Sequence, residues 1–126
     1  MPLKRIRLEL ARDREFPNGS PAHGYEFIAP LGQDGKIDAA EWQRSRDKCR
    51  VFRFWGSAEH EHGHLIKRQG GSWAFKYERE GDVDVEDETG FRFADHSFRP
   101  GEYVSIREDD EELRTFNVRS VNDVAA

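Results

Sequence analysis

Residues 61–77 read Glu61-His62-Gly63-His64-Leu65-Ile66-Lys67-Arg68-Gln69-Gly70-Gly71-Ser72-Trp73-Ala74-Phe75-Lys76-Tyr77. Two short runs of mixed polar and apolar residues flank a pair of glycines. Such a pair supplies the positive φ that a tight hairpin needs, so two antiparallel strands are expected. With Gly70 and Gly71 as a two-residue turn, Ile66 faces Phe75, His64 faces Tyr77 and His62 faces Arg79. Side chains alternate between the two faces of a strand. On this register His64 shares the apolar face with Ile66, Phe75 and Tyr77, while Lys67, Lys76 and Glu78 take the other.

The same punctuation runs through the chain. Arg5-Ile6-Arg7-Leu8-Glu9-Leu10 alternates charged and apolar residues, which predicts a half-buried strand with Ile6, Leu8 and Leu10 inward. Residues 24–29, 50–55, 102–107 and 114–121 read as further strands, and Phe91 and Phe93 alternate again. Pro17-Asn18-Gly19-Ser20-Pro21 and Gln33-Asp34-Gly35-Lys36 are turn sequences. One helix is expected near residues 38–48. Asp38 suits the N-cap, Glu41 completes a capping box, and Ile37 and Trp42 can form a hydrophobic staple. Its apolar face is thin, so Trp42 should plug one end or side of the fold. The expected architecture is a single mainly β domain over residues 1–126, a small antiparallel barrel or sandwich of about seven or eight strands with one short helix.

Composition fits one domain. Charged residues make up 36% of the chain, but aromatics make up 12% and are spread along most of it, so a packed core is expected rather than disorder. The net charge of −5 is uneven. Residues 1–54 carry eleven Lys and Arg against eight Asp and Glu; residues 55–126 carry nine against seventeen. The acidic half argues against general nucleic-acid binding. A local basic patch could still form from Lys4, Arg5, Arg7, Arg44, Arg46, Lys48 and Arg50, with a solvated face of paired charges as the plainer alternative. The single cysteine, Cys49, rules out an internal disulfide and a multi-cysteine zinc site. Lys48 and Arg50 beside it could lower its pKa. No apolar run reaches membrane-helix length, and the N-terminal stretch has no signal-peptide core, so a cytoplasmic protein is expected.

Three of the five histidines, His60, His62 and His64, stand at alternate positions. Two such rings on a strand can converge on one zinc or iron at about 2.0–2.1 Å. Three cannot, because their Cα atoms span roughly 13 Å at about 3.3 Å per residue. A metal site here therefore pairs His62 and His64 with a third ligand, for which His96, Glu78, Glu59 and Glu61 are candidates. The plainer alternative is a polar strand end of solvated His and Glu with His64 half-buried.

Gly56, His62, His64 and Gln69 resemble, in residue type and spacing, the first metal motif of the cupin barrels. The resemblance covers about 14 residues and implies a barrel with a His-x-His metal pair. The second motif of that family supplies a further histidine, and no histidine follows His96. Phe98-Arg99-Pro100-Gly101-Glu102-Tyr103-Val104 with Arg114-Thr115-Phe116-Asn117 resembles the flavin-binding barrel of the ferredoxin-reductase type, where Glu102, Phe116 and Asn117 replace a Gln, a Tyr and a Ser. Asp82-Val83-Asp84-Val85-Glu86-Asp87 resembles a calcium loop in its alternating carboxylates but lacks the EF-hand glycine and glutamate, and reads as an acidic loop. The stretches at 23–27, 49–55 and 100–106 resemble a group of short bacterial proteins, a resemblance that brings no activity with it.

No complete catalytic set is readable. The leading expectation is a non-catalytic binding or interaction module for a protein or small ligand, with no cofactor and no membrane or nucleic-acid partner. The alternative is a metal-dependent cupin-like enzyme holding zinc or iron on His62, His64 and His96 or Glu78.

Overall fold

A computed structural model describes residues 3–57, 60–68, 72–77, 88–91 (backbone only), 93, 96–108 and 112–124. Eight strands run in chain order: β1 (Leu3–Leu10), β2 (Ser20–Pro30), β3 (Arg50–Trp55), β4 (Glu61–Lys67), β5 (Trp73–Tyr77), β6 (Glu88–Phe91), β7 (Tyr103–Arg107) and β8 (Leu113–Asp123). Each pairs antiparallel with the next, and β8 pairs with β1, which closes the barrel. The expected class holds, as a barrel rather than a sandwich. Among the described residues no helix is long and apolar enough to cross a membrane.

Period-2 patterning fills the interior. Ile6, Leu8 and Leu10 of β1 point inward as expected, joined by Tyr25 and Phe27 of β2, Leu65 of β4 and Phe116 and Val118 of β8. Phe27 lies 5.2 Å from Phe75 and 5.6 Å from Phe98, ring centre to ring centre. Phe116 meets Tyr25 edge-on at 5.1 Å. Burying each such side chain stabilises the fold by about 1.5–3 kcal/mol.

The helix is shorter than its sequence suggests. Helix α1 covers Ala39–Arg44, and residues 46–48 form one 3-10 turn after it. The Asp38 carboxylate accepts from the Glu41 backbone N–H at 2.9 Å. The reciprocal half of the capping box is absent, because the Asp38 N–H donates to the Pro30 carbonyl. Glu41 pairs instead with Arg44. Trp42 seals this end of the barrel: its indole N–H donates to the Leu65 carbonyl at 3.0 Å, and its ring meets Trp73 edge-on at 5.2 Å.

The β4–β5 hairpin differs from expectation by one residue. Gly63 faces Tyr77, Leu65 faces Phe75 and Lys67 faces Trp73. Arg68 N–H donates to the Ser72 carbonyl, so three residues, 69–71, connect the strands where two were expected. A one-residue slip exchanges the faces of a strand. Leu65, Trp73, Phe75 and Tyr77 therefore point inward, and His64, Ile66 and Lys76 point outward.

Two strand glycines permit close approach of neighbouring backbones. A Cβ on Gly24 would stand 1.9 Å from the Leu8 carbonyl oxygen, and one on Gly63 would stand 2.0 Å from that of Lys76. Gly24 lies beside the irregular step between Glu9 and Leu10, where β1 and β2 shift register. Gly24→Val or Gly63→Val is expected to cost about 1–3 kcal/mol, the range for overpacking. Urea denaturation measures this, and a loss below about 0.5 kcal/mol in both variants would show that the backbones have room there.

Candidate functional site

The end of the barrel opposite Trp42 carries a buried charged network. Inward parity brings Arg53 of β3, Glu108 just after β7 and Arg114 of β8 into the mouth beside Tyr25. Glu108 is 4% exposed and Arg114 9%. The Arg53 guanidinium donates to Glu108 Oε2 at 2.6 Å, and the Tyr25 hydroxyl donates to the same oxygen at 3.0 Å. Arg114 Nε lies 2.8 Å from Glu108 Oε1, while its Nη2 reaches Glu112 at 2.9 Å. Trp55 lies under both cations, 4.3 Å from Arg53 and 5.5 Å from Arg114. Burial opposes charge on Arg53, but Tyr25 and Glu108 more than offset it and hold its pKa above the ordinary arginine value.

His23 borders this network. Its ring packs against Phe16 at 4.4 Å and Trp55 at 4.8 Å, and its Nδ1 lies 2.7 Å from the Ser20 hydroxyl. Burial, then the charge of Arg53, lowers the imidazole pKa against the opposing pull of Glu15 and Glu108. Arg114 also lies 3.4 Å from Asp13, so the network joins Glu108, Glu112 and Asp13 to two guanidiniums and ties the 11–19 loop to β8.

The described members of the sequence-predicted metal set form no three-ligand group. His62 and His64 lie on the outer wall, His62 against the Phe52 ring at 5.0 Å and His64 opposite Lys76. His60 also contacts Phe52, at 4.7 Å. His96 belongs to the connection before β7, at the Trp42 end, where its N–H donates to the Phe93 carbonyl. Glu61 faces Arg53 across β3 and β4. Glu59, Glu78 and the acidic run 82–87 lie outside the described residues. Among the described residues, no three of His, Cys, Asp and Glu are grouped so as to hold a metal ion. The expectation that placed His64 beside Tyr77 on the apolar face is corrected by the hairpin slip.

Two further expectations change. Cys49 is fully buried, and burial, with Asp47 adding to it, pushes its thiol pKa up to about 11; Lys48 and Arg50 do not lower it. Arg114 and Phe116 of the flavin-like segment point into the barrel, where the network and the core take them up.

An open groove of about 780 Å³ runs along the outer wall of β8. The 11–21 segment forms one side, Tyr103 the other, and Thr115, Asn117 and Arg119 the floor. Tyr103 is 58% exposed, the more exposed of the two large hydrophobic residues at the surface of the described structure. Arg119 pairs with Glu9 at 3.3 Å at the rim, and Arg12 donates to the Pro17 carbonyl at 3.1 Å, which fixes the overhanging segment.

No family model, curated protein or solved structure matches this chain.

Sequence reasoning missed the charged network, although its signal was present. Arg53 shares parity with Val51 and Trp55, Glu108 with Val104 and Ile106, and Arg114 with Phe116 and Val118. A charged residue in register with the apolar face marks a buried charge. Removing one partner of such a group costs about 3–5 kcal/mol. Glu108→Ala is expected to lose stability in that range by urea denaturation, and a loss below about 1 kcal/mol would show that the network contributes little.

Proposed function

We propose that this chain is a non-catalytic binding module whose ligand, a small polar molecule or a protein segment, occupies the groove along β8. The observation that carries this reading is the pairing of a side-chain-filled barrel interior with an open polar groove that ends on an exposed aromatic ring. Binding sites commonly combine an aromatic contact with a few placed polar groups. Tyr103 supplies the ring here. Thr115, Asn117 and Arg119 supply donors and acceptors at alternate positions of one strand. The 11–21 segment is a connecting loop held by a rigid wall, the usual setting of a recognition loop.

A screen of small polar fragments and short peptides by amide NMR tests the reading. Bound fragments are expected to shift the signals of Tyr103, Thr115, Asn117 and Arg119, and Tyr103→Ala is expected to weaken them about tenfold. Shifts centred on Phe75 and Phe116 would place the ligand inside the barrel instead. One equivalent of tightly held zinc or iron, lost in His62→Ala, would favour the metal-enzyme reading.

A further inference from the structure

Barrel closure assembles the floor of the β8 groove from both ends of the chain. Asn117 of β8 stands between Tyr103 of β7 and Glu9 of β1, so the three form one row across neighbouring strands. Val104, Phe116 and Leu8, next to them in the chain, are buried, so all three of the row point outward. Thr115 and Arg119 stand two residues to either side of Asn117 on the same face, and both are exposed. They lie about 13 Å apart along the strand, at about 3.3 Å per residue. The groove's volume of about 780 Å³ falls within the roughly 300–1,000 Å³ of small-ligand clefts.

Two classes of ligand fit this floor poorly. An extended peptide adds to a sheet by pairing its backbone with a free edge. Here β7, β8 and β1 are each paired on both sides, so no edge is open to an added strand. An anion needs an uncommitted cation. Glu9 meets Arg7 at 2.8 Å and Arg119 at 3.3 Å, and Arg12 donates to the Pro17 carbonyl at 3.1 Å. An open aromatic face therefore stands beside a row of hydrogen-bonding groups. Tyr103 is 58% exposed. Asn117 carries two donors and an acceptor, and the Thr115 hydroxyl lies 3.3 Å from that of Ser105. A pyranose ring has the complementary build. The C–H bonds of its face lie against the negative face of an aromatic ring, and its rim carries hydroxyls that both donate and accept.

We propose that the groove takes a neutral oligosaccharide, with one pyranose ring stacked on Tyr103 and its hydroxyls on Asn117 and Thr115. The proposal rests on the reading of this groove as the binding site. A second ring extends along β8 toward Arg119, whose Nε faces Glu9 and whose two Nη groups donate to hydroxyls. Asn18 of the 11–21 segment lines the other side and supplies a further amide.

The test uses the full chain, amide NMR and three neutral tetrasaccharides of different linkage and hydroxyl orientation: cellotetraose, maltotetraose and mannotetraose. Tetragalacturonate is the charged comparison. At least one neutral probe is expected to bind saturably and to shift the signals of Tyr103, Thr115 and Asn117. With native circular dichroism confirmed, Tyr103→Ala is expected to weaken that binding about tenfold. Asn117→Ala is expected to weaken it about fivefold. Leu113→Ala, an exposed position of β8 outside the groove, is expected to leave it unchanged. No saturable shift with any neutral probe would overturn the proposal. So would tighter binding of tetragalacturonate, or undiminished binding by Tyr103→Ala. Peptides or other fragments that shift these residues where the saccharides do not would sink the proposal and keep the groove as the binding site. A groove silent to every probe would sink both.

Discussion

Closing eight antiparallel strands on themselves fixes how much space the molecule has inside. A barrel of this strand number leaves an interior about wide enough for its own side chains. Here aromatic rings occupy it, with Phe27, Phe75 and Phe98 at centre distances of 5.2 to 5.6 Å from one another along the Phe27 contacts. Closure also removes the exposed strand edges that would recruit other chains. The glycines at 24 and 63, where neighbouring backbones approach within reach of a missing Cβ, belong to the same constraint. With the inside filled by side chains, the open groove lies on the outer wall, along β8.

The ends are sealed by different chemistry. At one, Trp42 lies on Trp73 and donates to the Leu65 carbonyl, so an apolar plug satisfies its single polar atom. At the other, Glu108 stands between two guanidiniums and a phenol. Buried ion groups are a poor source of net stability compared with apolar packing. Their value here is positional: one carboxylate ties β2, β3, β7 and β8 together, and Arg114 reaches Asp13 in the 11–19 loop that borders the groove along β8.

Much of this fold was legible in residue order. Alternation in residues 5–10 marked a strand and its inward face, residues 50–55 read as a strand without a face, and Asp38 with Glu41 marked the start of the helix. The β4–β5 register was not legible, because Gln69-Gly70-Gly71 admits either a two-residue or a three-residue connection and only packing decides between them. The observed pairing puts Gly63 and Leu65 inside with Phe75 and Tyr77 and leaves His64 and Ile66 on the outer wall. The candidate sites were less legible. EHEHGH reads as a histidine cluster, yet His62 and His64 line the outer wall. Glu9, Tyr103 and Asn117 become one row only when strand order is known, since β1 and β8 lie at opposite ends of the chain. The charged network, by contrast, was present in parity and lay in view at Arg53.

The account stands on the filled interior, and equilibrium uptake of a fluorescent fatty-acid analogue tests it most directly. Barrels with a central cavity take up such a ligand at one per chain and quench tryptophans that line it. Trp73 is buried here among the core rings. The account predicts no saturable uptake and no change in tryptophan emission. Stoichiometric uptake with quenching, lost when Phe75 or Phe116 is enlarged to Trp, would show a ligand cavity within the barrel and contradict it.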